Sequence, residues 1–159
     1  MIQLTVISIG TLKESYLKEA VNEYKKRLSQ YARVDEINLK EEAIHNEDDT
    51  AEIERALSLE GDKILAAIPK DSAVIALCVE GKEYDSPALA EKIREMQDSK
   101  GKITVIIGSS HGLSQKVKAK ADLKLSFSKL TFPHQLIRPI LLEVIYRSFT
   151  IIAGKKYHK

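Results

Sequence analysis

Three short apolar runs, Ile2–Ile9, Ala73–Val79 and Ile103–Ile107, are separated by stretches with helical spacing, and this alternation constrains the fold more than any other feature. Each run has strand length and ends at or near a glycine (Gly10, Gly81, Gly108), so each reads as a mostly buried strand. Glu14–Tyr31 reads as a helix, with Tyr16, Leu17, Ala20, Val21, Tyr24 and Leu28 at helical spacing. Val34, Ile37 and Leu39 predict a second, half-exposed strand. Asp49-Thr50-Ala51-Glu52 has the form of a capping box, opening a helix that runs to Ile68 and stops at Pro69. Ser86-Pro87 predicts an N-cap with proline at the first helical position, and that helix reaches about Asp98. A short basic helix over Ser114–Lys120, a strand over Leu123–Phe127 and a long helix from about Pro133 to Ala153 complete the chain. The alternation predicts an α/β domain whose mostly parallel sheet is flanked by helices. No repeat, low-complexity tract or linker divides residues 1–159, which read as a single domain.

The last helix carries more apolar surface than one face needs. Leu136/Ile137, Ile140/Leu141, Val144/Ile145 and Phe149 follow one another at i+4. Such a stripe is packed on two sides within the fold or shared with a second copy, and in a chain this short it predicts a homodimer. Pro139 removes the bond to the Gln135 carbonyl and would cost ~3 kcal/mol unless the helix kinks or begins there.

A net charge of +2 conceals two opposed blocks. Glu41–Asp62 holds nine acidic residues against Arg55, whereas Ser114–Lys159 holds ten basic residues against Asp122 and Glu143. The basic third suggests a surface for a polyanion; a solvated face balanced by the acidic segment is the plain alternative. No apolar run approaches the roughly 18 residues of a membrane span. The start, Met1-Ile2-Gln3-Leu4, has no basic n-region, and the lone Cys78 forms no internal disulfide. A cytoplasmic protein is the expectation.

Gly108-Ser109-Ser110-His111-Gly112 matches G-x-S-x-G, with Asp122 and His134 following in the hydrolase order. A hydrolase sheet needs more strands between triad members than this chain has, so a serine hydrolase using Ser110 stays a secondary reading. The same loop lies where ligands bind at the carboxyl ends of parallel strands; equally, its glycines could simply turn the chain. The absence of G-x-G-x-x-G and Walker sequences gives no support to dinucleotides or nucleoside triphosphates. His45, His111, His134 and His158 are dispersed, and no metal is expected. Cys78 reads as a packed thiol, and Glu41–Glu54 as a solvated loop and helix start without EF-hand spacing. Tyr157-His158-Lys159 joins an aromatic, an imidazole and a cation, as stacking on bases and pairing with phosphate require, although a frayed tail looks the same.

Leu125-Ser126-Phe127-Ser128-Lys129-Leu130-Thr131-Phe132-Pro133-His134-Gln135-Leu136, Glu143-Val144-Ile145-Tyr146-Arg147 and the Tyr157-His158-Lys159 end carry a resemblance to a known family. The chain resembles, over its whole length, the ribosomal RNA large-subunit methyltransferase H family of the SPOUT methyltransferases. The resemblance implies a SPOUT-type α/β fold with a C-terminal trefoil knot, an exception to unknotted topology. It implies a homodimer that uses S-adenosylmethionine, without a metal, to methylate N3 of a pseudouridine in a large-subunit rRNA stem-loop on the assembled ribosome. Cofactor contacts are then expected at Leu77, Gly108, Phe127, Ser128, Lys129, Leu130, Thr131 and Phe132. His134, Tyr157 and Lys159 would face RNA, with the tail reaching the partner's site. His158 is expected to serve as base, and Arg138 or Lys159 to stabilise the anion. Ser109 in place of a second glycine, Pro139 after Arg138 and Val144 in place of a glutamine depart from the family pattern. A non-catalytic RNA- or ribosome-binding module is the remaining alternative.

Overall fold

A computed structural model describes residues 1–158 and places strands and helices in strict alternation. The strands are β1 (Ile2–Ile9), β2 (Ala32–Leu39), β3 (Ala73–Lys82), β4 (Lys102–Ile107) and β5 (Leu123–Leu125). They form one sheet in the order β2-β1-β4-β3-β5, every neighbouring pair parallel. The helices are α1 (Ser15–Leu28), α2 (Thr50–Ala67), α3 (Ser86–Lys100), α4 (Gln115–Lys120) and α5 (Ile137–Ile152).

The apolar runs are continuous because both faces of the central strands are covered. Leu4, Val6, Ile75, Ile103 and Val105 join a core with α1, α3 and α5. Ile7, Ile9, Val74, Ala76 and Ile106 point to the other face, where α2 contributes Ile64 and α4 contributes Val117.

Element boundaries depart from expectation where side chains compete with pattern. α1 ends at Leu28 rather than Tyr31, because the Tyr31 amide turns back to the Leu28 carbonyl at 2.8 Å. Tyr31 then stacks on Phe149 with centroids 5.9 Å apart. Asp49 caps α2 by accepting from the Ala51 and Glu52 amides, but the expected box is only half made. Glu52 instead accepts the amides of His45 and Asn46 at 2.7 and 3.1 Å, ordering the acidic loop. The cap of α3 is Asp85, not Ser86, because the carboxylate reaches the Ala88 amide at 2.8 Å. β5 stops at Leu125 rather than Phe127, since the Ser126 hydroxyl donates to the Ser128 carbonyl and turns the chain.

α5 begins at Ile137, so Pro139 occupies its third position. Its missing N–H would be an orphan donor there, and the helix needs no kink. The wide stripe of α5 is packed on two sides within the fold, against α1 and α3. Leu130, Phe132 and Leu136, just before the helix, stay exposed. No described helix is long and apolar enough to cross a membrane.

Candidate functional site

A cavity of about 660 Å³ opens at the carboxyl ends of β3 and β4, within the size range of small-molecule sites. Three segments supply most of its lining: Leu77–Glu80 from β3, Ile107–Leu113 from the end of β4 toward α4, and Ser126–Ser128 with Leu130–His134 between β5 and α5; Lys118 and Ile137 complete it. Its second wall depends on Gly108. A Cβ at that position would lie 2.3 Å from the Gly112 carbonyl oxygen, so only glycine lets the loop close on itself. The closure is a short bridge in which the Gly112 amide donates to the Ser109 carbonyl at 2.9 Å. The third wall is braced from within, as the Ser128 hydroxyl accepts the Leu130 amide at 3.0 Å.

Charges around the cavity are largely paired. Lys118 bonds Glu80 and holds that carboxyl below its usual range. Burial pushes the Cys78 thiol up, away from nucleophilic thiolate. His111 Nε2 lies 2.6 Å from Glu47 Oε2, bringing the acidic loop to the rim. The cavity thus presents apolar surface from Leu77, Leu113 and Phe127 together with backbone polar groups and hydroxyls. That donor set fits an adenosyl group, which needs flat apolar walls and hydrogen bonds at its edges. Among the described residues no group of three His, Cys, Asp or Glu could hold a metal ion.

Of the expected cofactor contacts, Leu77, Gly108, Phe127, Ser128, Leu130, Thr131 and Phe132 line the cavity together, whereas Lys129 is exposed and outside its lining. His134, expected at an RNA face, lies on the cavity wall. Arg138, expected as an anion stabiliser, lies outside the cavity lining. It is 4% exposed, and its guanidinium donates to Asn38 Oδ1 at 3.0 Å and to the Ile9 and Gly10 carbonyls at 3.2 and 2.8 Å. Burial lowers its affinity for the proton, and its donors tie α5 to the end of β1 instead of facing the cavity.

The tail folds onto its own α5. Tyr157 Oη donates to Glu143 Oε1 at 3.2 Å, and Arg147 lies 4.8 Å from its ring centroid. Arg147 bonds Glu143 at 2.5 Å, and burial together with the nearby Glu143 carboxylate raises the Tyr157 phenol pKa above its ordinary value. Neither Tyr157 nor His158 lines the cavity of its own chain; Lys159 lies outside the described residues. The hydrolase constellation does not assemble. Asp122 accepts the Val74 amide and Lys100 near the amino end of β3, across the sheet from Ser110.

A doubly wound parallel sheet whose strand ends frame a cavity between a glycine loop and a long hydroxyl- and aromatic-rich loop defines the class: an α/β protein with a cavity of small-molecule size at its strand ends. The family model described as "Predicted SPOUT methyltransferase" matches residues 2–158. The chain is 49% identical over 156 residues to ribosomal RNA large subunit methyltransferase H of Caldicellulosiruptor bescii, covering 98% of this chain and 99% of that one. It is 47% identical over 157 residues to the protein of that name from Shouchella clausii, again with 98% and 99% covered. With the same protein from Carboxydothermus hydrogenoformans it shares 48% over 158 residues, 99% of each chain. The chain belongs to the SPOUT methyltransferases, on the branch formed by these large subunit methyltransferase H relatives.

Proposed function

We infer that the protein methylates large-subunit rRNA, using S-adenosylmethionine to modify N3 of a pseudouridine in a stem-loop of the assembled ribosome. The observation that carries this reading is the cavity at the ends of β3 and β4, where Leu77, Gly108 and the Phe127–Phe132 loop converge. Leu77 and Phe127 offer faces for a purine, while Gly108 lets the loop close on itself as a wall of the cavity. The bound donor supplies an activated methyl group, so no metal is required. The chain's task is alignment of the acceptor nitrogen with that methyl group and exclusion of water.

The acceptor N–H must lose its proton, and His158 is the proposed base, with Lys159 stabilising the resulting anion. Arg138 lies outside the cavity lining, its terminal nitrogens bonded to Asn38, Ile9 and Gly10, so the role is given to Lys159. Since neither Tyr157 nor His158 lines the cavity of its own chain, a second copy would supply the tail, making the working unit a homodimer. The exposed Leu130, Phe132 and Leu136 beside the cavity suit such an interface. His134 on the wall and the basic C-terminal third would meet RNA. Assembled ribosomes place this activity in the cytoplasm.

The test is methyl transfer from labelled S-adenosylmethionine to ribosomes from a strain lacking the gene, with the product mapped by mass spectrometry. Label on a large-subunit pseudouridine is expected. Ribosomes left unlabelled by a folded protein would refute the reading, and rRNA binding without donor binding would favour the non-catalytic module.

A further inference from the structure

β3 does not run straight past the cavity. Leu77 and Lys82 both pair with Leu125 of β5, so Cys78–Gly81 form a bulge between them. Cys78, Val79 and Glu80 of this bulge line the cavity. Gly81 lets it lie close on β5: a Cβ there would sit 2.8 Å from the Lys124 and Leu125 backbone. Bulges of this kind re-aim side chains beside functional sites. Core packing gives no reason for this one, because Val79 is 54% exposed and the Glu80 side chain 56%.

Glu80 bonds Lys118 of α4, which also lines the cavity. Val117 anchors that helix at 0% exposed, and only 16% of the Lys118 side chain is open to water. Among the described residues, the two supply the one carboxylate and the one ammonium of the lining. An ion pair half open to water adds little to stability. Beyond the mutual bond, a carboxylate keeps acceptor capacity and an ammonium keeps donors for a ligand. The apolar walls suit the adenosyl part of a methyl donor, whose other end is an α-amino acid with one ammonium and one carboxylate. Laid antiparallel on Glu80 and Lys118, those charges match sign for sign without breaking the existing pair. The half-exposed Glu80 also suits the end of the ligand that water solvates best.

We propose that the Glu80–Lys118 pair is the receptor for the amino-acid end of the methyl donor, Glu80 accepting from its α-ammonium and Lys118 donating to its α-carboxylate. This rests on the reading of the cavity as the donor site. The experiment titrates three ligands by calorimetry into the full-length chain. They are S-adenosylmethionine; S-adenosylhomocysteine, which keeps the amino-acid end without the sulfonium; and methylthioadenosine, which has neither. Glu80→Gln/Lys118→Met removes both charges and leaves the net charge unchanged. It is expected to weaken the first two ligands about tenfold, the scale of charge-assisted hydrogen bonds partly screened by water, and to leave methylthioadenosine within about twofold of wild type.

Unchanged affinity of the folded variant for the first two ligands would overturn the proposal. An equal loss for methylthioadenosine would also overturn it, by putting the pair on the adenosyl part. So would a loss for S-adenosylmethionine alone, which would show the pair answering to the sulfonium. If the double variant does not fold, Glu80→Gln decides by the same comparison, since its half-exposed side chain has little packing to lose. A wild-type chain that binds methylthioadenosine as tightly as S-adenosylhomocysteine overturns the proposal and leaves the donor reading standing. A wild-type chain that binds none of the three refutes the donor reading, and the proposal with it.

Discussion

Replacing Gly108 with alanine should damage the site out of proportion to one methyl group. The new Cβ would lie 2.3 Å from the Gly112 oxygen and 2.6 Å from its carbonyl carbon. Both are backbone atoms of a loop already closed by the Ser109–Gly112 bridge, so no flexible side-chain end can yield. Restoring an ordinary contact displaces the Gly112 peptide by roughly 1 Å, and overpacking of this kind costs about 1–3 kcal/mol. For a domain of this size each kcal/mol lowers Tm by about 2–4 °C, so a fall of about 2–12 °C is expected. The displaced peptide is cavity wall, so donor affinity should fall by tenfold or more, since misplacement of about 1 Å at a site can cost a hundredfold. Gly112→Ala is the control. Its Cβ meets nothing within 4 Å, but its φ of +86° would cost a side chain about 1–2 kcal/mol. Thermal denaturation and calorimetric titration of both variants read the two effects. A Gly108→Ala protein with wild-type Tm and donor affinity would refute the reasoning that backbone proximity at this glycine shapes the wall.

Other perturbations test the remaining assignments. Arg138→Ala strips three carbonyl-type oxygens of their donor at the junction of α5 and β1, and a loss of about 3 kcal/mol in chemical denaturation is expected. Arg138→Lys should recover little, because an ammonium cannot span the same fork; full recovery would show that charge alone matters. Arg147→Ala removes the bond to Glu143 and the cation over Tyr157, and should cost about 1 kcal/mol while raising tail exposure to protease. An unchanged proteolysis rate would show that the tail is held otherwise. For Glu60, burial raises the folded-state pKa above its unfolded value, so the native state binds the proton more tightly. Its contribution is therefore full below the ordinary carboxylate range and is lost as pH rises through the raised value. Denaturation midpoints of Glu60→Gln relative to wild type should rise across that window, and a gap that narrows with pH would contradict the burial.

Much of this protein was legible in its residues because apolar periodicity is a local property. The runs at Ile2–Ile9, Ala73–Val79 and Ile103–Ile107 had to be strands covered on both faces, and the intervening stretches had to be helices. The hydroxyl- and aromatic-rich run from Leu125 to Leu136 marked one wall of the cavity, and Gly108 marked another, because close backbone approach leaves its trace in residue type. Only the tertiary structure decided matters that depend on residues far apart in sequence. It brought Arg138 to carbonyls 128 and 129 residues away, where it joins α5 to the end of β1. It set Pro139 in the first turn, where its missing donor costs nothing, and it buried Glu60 against the Glu42 amide. A charged side chain has the same identity in solvent, in a site or in a core, and its role follows from which distant groups share its desolvated surroundings. That information exists only after the chain has packed.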